Sequence, residues 1–211
     1  MREHPILFSA PMVRAILDGR KTQTRRVIKQ QPHRTTTAAQ HVDSNWWEWR
    51  RGGRFRCPYG QLGDRLWVRE TWRPGMHPEL LCAVQYRADL QWSKPTGLDE
   101  NTGYIFADWC DREPEKWSPS IHLPRWASRI SLEITNVRAE RLQAISDADS
   151  KAEGVTAGAV DRLAAEAIPD MAGATPTISA YRRLWNEINA ARGFRWELNP
   201  WVLVLEFKRI N

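Results

Sequence analysis

Eight residues, Gly19-Arg20-Lys21-Thr22-Gln23-Thr24-Arg25-Arg26, hold four cations and two hydroxyls. Arginine presents a planar fork to phosphate or carboxylate, lysine a compact charge, and threonine a hydroxyl that both donates and accepts. Residues of these types at this density can neutralise an anion. They can equally be a solvated face, because cations near a helix C-terminus complement the dipole there. Taken alone, the eight residues leave both readings open.

The element ahead of the turn fixes its position. Residues 9–17 read as a short helix, with Ser9 as N-cap and Pro11 in the first turn, where its missing N–H has no intrahelical partner. Val13, Ile16 and Leu17 share one apolar face, and Gly19 supplies the left-handed residue that ends many helices.

Charge and composition narrow the partners. The net charge is +6, but residues 1–73 carry 15 Lys+Arg against 6 Asp+Glu, or +9, which leaves −3 for the remainder. Of 31 cations, 25 are Arg, and 12 residues are Trp. Arginine interleaved with aromatics suits nucleic acid or a nucleotide, through counterion release and base stacking. No apolar run reaches the length of a membrane span, and the N-terminus lacks a hydrophobic leader, so a cytoplasmic protein with no membrane partner is expected. Cys57, Cys82 and Cys110 are odd in number and lack paired spacing, which argues against a disulfide framework and a cysteine zinc site. No metal and no cofactor is expected.

Along the chain, residues 29–63 read as a loop or hairpin arm carrying Trp46, Trp47 and Trp49 beside Arg50, Arg51 and Arg54. The arm either contacts a polyanion or folds onto the body as an apolar patch. Residues 65–72 alternate as a strand, with Leu66, Val68, Glu70 and Trp72 on one face and Arg65, Trp67, Arg69 and Thr71 on the other. A carboxylate on an apolar face places Glu70 either in an ion pair with arginine or in a polar site. Residues 73–125 read as an insertion wrapping the core, with a short strand at 81–86. A half-buried strand is expected at 126–137 and a well-covered one at 201–207. Ser146 and Asp149 form a capping box that launches a helix over 147–153, stopped by Gly154. Further helices are expected at 159–168 and at 179–190, the second with Tyr181, Leu184, Trp185 and Ile188 on a core-facing stripe.

The spacing Gly19-x-Lys21-x-x-Thr24-x-Arg26 resembles the signature of the ASCH domain, a branch of the PUA-like superfamily. The order that follows is also similar: a Gly63-Asp64 strand, a long alternating strand, a short capped helix ending in Glu153, and a last strand ending Glu206-Phe207-Lys208. The resemblance covers about residues 5–30, 60–72, 126–157 and 178–211. It implies an α+β fold, a small PUA-like β-barrel with flanking helices and inserted loops. The whole of 1–211 would then be one domain with insertions at about 31–59, 73–125 and 158–177. Enlarged members of this kind imply a phage or prophage source.

The resemblance further implies a cleft for RNA, a nucleoside or a modified base. One group of small bacterial ASCH enzymes hydrolyses the acetamide of N4-acetylcytidine, and residue-by-residue transfer makes Lys21, Thr24 and Glu153 the catalytic set. Thr24 would act as nucleophile or position a water, Lys21 as base and Glu153 as proton relay to the departing amine. Lys21 serves as a base only if neutral, and desolvation together with Arg20, Arg25 and Arg26 would push it that way. In a straight strand, positions 21 and 24 face opposite sides, so a bend at 22–23 is required. Substrate or nucleic-acid contacts are expected from Arg20, Arg25, Arg26, Trp67, Arg69 and Glu70. Three functions follow: an amidohydrolase for an acylated pyrimidine nucleoside, a non-catalytic RNA- or DNA-binding module using the same cleft, and a metal-independent ribonuclease.

Overall fold

The computed structural model describes residues 1–32, 39–43, 46–50, 52–95, 98–112, 116–156, 158, 161 and 175–211. In chain order the elements begin with β1 (Glu3–Leu7), α1 (Ala10–Leu17), β2 (Gln23–Val27), β3 (Ala39–Asp43), β4 (Trp46–Trp49) and β5 (Arg54–Arg56). Next come β6 (Arg65–Arg69), β7 (Trp72–His77), β8 (Leu81–Tyr86), β9 (Trp92–Ser93) and α2 (Glu100–Arg112). The chain ends with β10 (Ser131–Arg141), α3 (Asp147–Ala152), α4 (Pro176–Asn189) and β11 (Trp201–Arg209). The expected helix at 159–168 lies largely outside the described residues.

Two compact units emerge, each assembled from segments far apart in sequence. The first comprises Met1–Asp18, Asp64–Glu133 and Arg209–Asn211. In it β1 pairs parallel with β6, Pro5 opposite Trp67, and β6 pairs antiparallel with the first residues of β10. Proline removes one ladder donor, which is tolerated because β1 is an edge strand. Helix α1 buries Val13, Ala15 and Ile16, while Arg14 reaches the carbonyl of Ala88 at 2.6 Å. The expected strand over 65–72 ends at Arg69, and Trp72 starts a separate meander, β7-β8-β9. That meander and α2 enclose their own core of Trp72, Val84, Tyr86, Phe106, Cys110, Leu123 and Ala127. Residues 73–125 are therefore a packed substructure rather than a wrapping loop.

The second unit comprises Gly19–Gly63 and Ile134–Lys208. Its β11 lies between β10 and β2, with Thr24 opposite Leu205 and Arg26 opposite Leu203. The 29–63 segment forms the sheet β3-β4-β5. Phe55 stacks on Trp49 at 4.4 Å and Trp49 meets Trp201 edge-on at 5.1 Å, so the aromatic arm folds onto the body. Helix α4 starts at Thr175, whose hydroxyl accepts from Ile178 N–H, and packs Tyr181 and Trp185 against Leu142, Ile145, Trp196, Val202 and Val204. Ile188, expected on the same stripe, is exposed.

The mixed α+β content matches expectation. Closure does not: no sheet among the described residues forms a barrel, and β1 and β2 each keep one strand neighbour. The strand expected at 126–137 also shifts, because residues 125–127 make a 3-10 turn after Pro124 and β10 runs on to Arg141.

Candidate active site

The basic turn enters the second unit against the end of α3. Thr22 donates its N–H to the carbonyl of Ala152 at 2.9 Å, and Phe207 donates to the carbonyl of Thr22 at 2.9 Å. Helix α3 is only 6 residues long, too short to hold itself. Its capping box closes as the sequence predicts, with Ser146 accepting from Asp149 N–H and the Asp149 carboxylate accepting from Ser146 N–H. Gly154, at φ 92°, then turns the chain where a side chain would be strained.

These elements bring Lys21 and Glu153 together. Lys21 is 2% exposed and donates to Glu153 Oε2 at 2.6 Å, to the Glu153 carbonyl at 2.9 Å and to the Gln23 carbonyl at 2.8 Å. An ammonium has three N–H bonds, and here each meets an acceptor. Burial pushes Lys21 below the ordinary lysine range, Glu153 pulls the other way, and Arg26 and Arg25 add to the depression. The second oxygen of Glu153 accepts from the Tyr181 hydroxyl at 3.4 Å and lies 3.6 Å from Arg25 Nη1. Burial, reinforced by the charge of Glu153, holds the Tyr181 hydroxyl well above its ordinary value, so it remains a donor.

Around this pair the remaining charges interlock. Arg25 contacts Glu140 at 2.8 Å and Asp149 at 3.3 Å, and donates to the side-chain oxygen of Gln23. Gln23 in turn donates to Asp149 at 2.8 Å. Arg138 bridges Glu140 at 3.1 Å, Asp149 at 3.0 Å and Glu206. Burial acts to raise Asp149, but hydrogen bonds from Gln23 and Ser146 and the charge of Arg25 outweigh it and hold the carboxyl below its ordinary value.

The basic turn is thus not a cationic face. Lys21 and Arg25 are internal and neutralised by carboxylates, whereas Arg20 is exposed and Arg26 half-buried. The sequence showed the cations but not their counterions, which arrive from 115 to 132 residues away.

Thr24 is 3% exposed on β2. Alternation sends its side chain to the face opposite Gln23 and Arg25, and among the described residues its hydroxyl makes no hydrogen bond. The structure joins Lys21 to Glu153 but does not bond Thr24 to either.

Trp67, Arg69 and Glu70 belong to the first unit. Glu70, 1% exposed, is forked by Arg129 through two contacts of 2.9 Å, and Arg129 also holds Asp89 at 2.8 Å. Its guanidinium lies 4.0 Å over the Tyr86 ring. Glu70 therefore sits in an ion pair with arginine, one of the two environments the sequence leaves open for it. The Trp67 ring is buried beneath the Arg69 guanidinium, 4.6 Å from its centroid, so base stacking is not open to that face.

Residues the sequence reading left out of the site are Gln23, Arg138, Glu140, Asp149, Tyr181 and Glu206. The sequence pattern places Tyr181 on the core stripe of α4 and Asp149 in the cap. The spacing of Arg138 and Glu140, two apart on a strand, was the signal that both share one face of β10.

Among the described residues, cavities open in both units. In the second unit one, of about 640 Å³, is bordered by His41, Trp47, Gln61 and Asn136; another, of about 380 Å³, by Lys29, Phe55, Arg56 and Tyr59. In the first unit a cavity of about 610 Å³ lies beside Trp72, Trp109 and His122. Lys21, Thr24 and Glu153 line none of these three. Among the described residues no cluster of His, Cys, Asp or Glu could hold a metal, and no helix is long and apolar enough to cross a membrane. Comparison with protein-family models, curated proteins and solved structures returned no match.

Proposed function

We propose that the protein is an enlarged ASCH-type, PUA-like amidohydrolase that cleaves the acyl amide of a modified pyrimidine nucleoside of the N4-acetylcytidine kind. The observation that carries this reading is the 2.6 Å contact between Lys21 and Glu153, both at most 5% exposed. Gly19-x-Lys21-x-x-Thr24-x-Arg26 and the acid after the capped helix supply the family-level argument.

Desolvation makes the chemistry accessible. In a dry site the charged pair loses its advantage over the neutral one, so a proton passing from Lys21 to Glu153 leaves an amine lone pair. That amine takes a proton from the Thr24 hydroxyl, or from a water Thr24 positions, as oxygen bonds to the acyl carbon. Glu153 then protonates the exocyclic nitrogen as the C–N bond breaks. Water completes the balance, giving a carboxylic acid and the free amine. Thr24 bonds to neither partner and stands on the face of β2 opposite Arg25 and Glu153, so the reaction requires the start of β2 to shift and the Lys21–Glu153 contact to open as substrate enters.

Internal neutralisation of Lys21 and Arg25 counts against a polyanion cleft at this turn. The test is turnover of N4-acetylcytidine by the purified protein beside Glu153→Gln and Thr24→Val, both checked for folding. Each folded variant should lose at least about 100-fold, the scale of a lost acid–base group. Absence of turnover at high enzyme concentration, or full activity in both variants, removes the proposal.

A further inference from the structure

We infer that the cavity of about 380 Å³ beside β2 is a nucleotide site, with an aromatic wall for the base and Lys29 and Arg56 for a phosphate. The inference rests on the nucleoside reading above and extends it to a phosphorylated ligand.

The floor of the cavity belongs to the sheet. Ile28, just past β2, and Leu203 of β11 are 4% and 2% exposed. Leu203 stands opposite Arg26, and directly opposed residues project to the same face. Alternation along β2 then places Thr24, Arg26 and Ile28 on the cavity's face of the sheet. Leu203 and Thr24 are diagonal neighbours, about 7–8 Å apart in such ladders. Thr24 itself is 3% exposed and does not line the cavity, and Glu153 contacts Arg25 on the other face of the strand, so the cavity is a binding site apart from the Lys21–Glu153 pair.

The wall comes from residues 31–59, which the smallest ASCH proteins lack. Phe55 is 4% exposed and backed by Trp49 at 4.4 Å, which itself rests on Trp201, so this side is fixed before any ligand arrives. Tyr59 also lines the cavity and is half-buried. Aromatic platforms of this kind accept any base through its π-face.

Charge selects the ligand. Lys29 and Arg56 are exposed at the cavity, no Asp or Glu lines it, and neither cation forms an ion pair among the described residues. Lys21 and Arg25 by contrast are each matched to carboxylates. Two unmatched cations beside an aromatic wall suit a base carrying an anionic group. The volume lies near the lower end of small-ligand pockets, about 300–1,000 Å³, which fits one nucleotide.

Calorimetry on the full chain at low salt, with cytidine 5′-monophosphate, cytidine and inorganic phosphate as separate probes, tests the inference. Cytidine 5′-monophosphate should bind at least about tenfold tighter than cytidine, with the gap closing as salt rises. Tyr59→Ala should weaken both by about tenfold, the scale of one lost stacking contact. Lys29→Glu with Arg56→Glu, both exposed positions, should weaken only the monophosphate. Equal binding of the two ligands, no binding of either, phosphate alone binding as well as the nucleotide, or indifference to both substitutions overturns the inference. Binding without any amide hydrolysis upholds the cavity and removes the hydrolase. Hydrolysis that ignores both substitutions does the reverse.

Discussion

Replacing Lys21 by Met keeps the aliphatic stem and removes the ammonium, so the loss is almost purely electrostatic and hydrogen-bonding. Three contacts disappear, one to Glu153 Oε2 and two to backbone carbonyls. Removing one partner of a buried ion pair typically costs about 3–5 kcal/mol, because the other charge stays buried and unpaired. Tyr181 and Arg25 still face the second oxygen of Glu153, at 3.4 and 3.6 Å, which argues for the lower part of that range. At about 2–4 °C per kcal/mol for a chain of this size, Tm should fall by roughly 6–14 °C. Urea unfolding followed by both far-ultraviolet circular dichroism and Trp fluorescence gives the equilibrium value, two probes being needed because two units can unfold in separate steps. Glu153→Gln in the Lys21→Met background should recover part of the loss, with a coupling energy above about 1 kcal/mol. There is also a pH signature. Lys21 lies below its unfolded value of about 10.4, so between its folded value and that pH the unfolded chain holds a proton the native state has released. Wild-type stability should therefore rise with pH across this window relative to Lys21→Met. A loss under about 1 kcal/mol with no coupling to Glu153 would mean the contact is not a buried pair, and the reasoning about its reactivity would fail with it.

Arg129→Met should destabilise by about 3–5 kcal/mol in urea titration, because Glu70 is left buried without its fork, and Glu70→Gln in the same background should restore part of it. Tyr181→Phe should alter the alkaline limb of the stability profile. The Tyr181 hydroxyl is raised in the folded state by burial and by Glu153, so its contribution is complete below about pH 10 and is lost above it, and the variant should lose stability less steeply there in thermal melts.

What was legible in the sequence was local. The capping box of α3 depends on residues three apart, and the strand at β11 on a run of apolar residues. Both stand where the pattern puts them. Helix α2 was hidden because its apolar residues lie all round: Phe106 and Cys110 are buried, yet Tyr104, Ile105 and Trp109 are exposed. Strand β1 was hidden because it is short, carries Pro5 and finds its partner 62 residues along, at Arg65. The site shows the same division. Gly19-x-Lys21-x-x-Thr24-x-Arg26 could be read directly, but the burial of Lys21 and Arg25 could not. Cations grouped in eight residues look like surface until the carboxylates at 140, 149 and 153 are placed against them.

That placement explains how a six-residue helix can form one wall around the buried Lys21–Glu153 pair. Alone it is far below the length at which a helix persists in water. Here Asp149 serves twice, closing the cap through Ser146 and receiving Gln23, Arg25 and Arg138 from two strands. The helix end is tied again by Thr22 N–H to Ala152 and by Lys21 to the Glu153 carbonyl. Glu153 is thus held both by its own helix, through its N–H to the Asp149 carbonyl at 2.9 Å, and by Lys21, Arg25 and Tyr181 from outside it. The same contacts that fix it exclude water from Lys21, and exclusion of water is what lowers the lysine's hold on its proton. Stability and the depression of Lys21 consequently have one source in this unit, and a substitution that hydrates Lys21 should weaken both together.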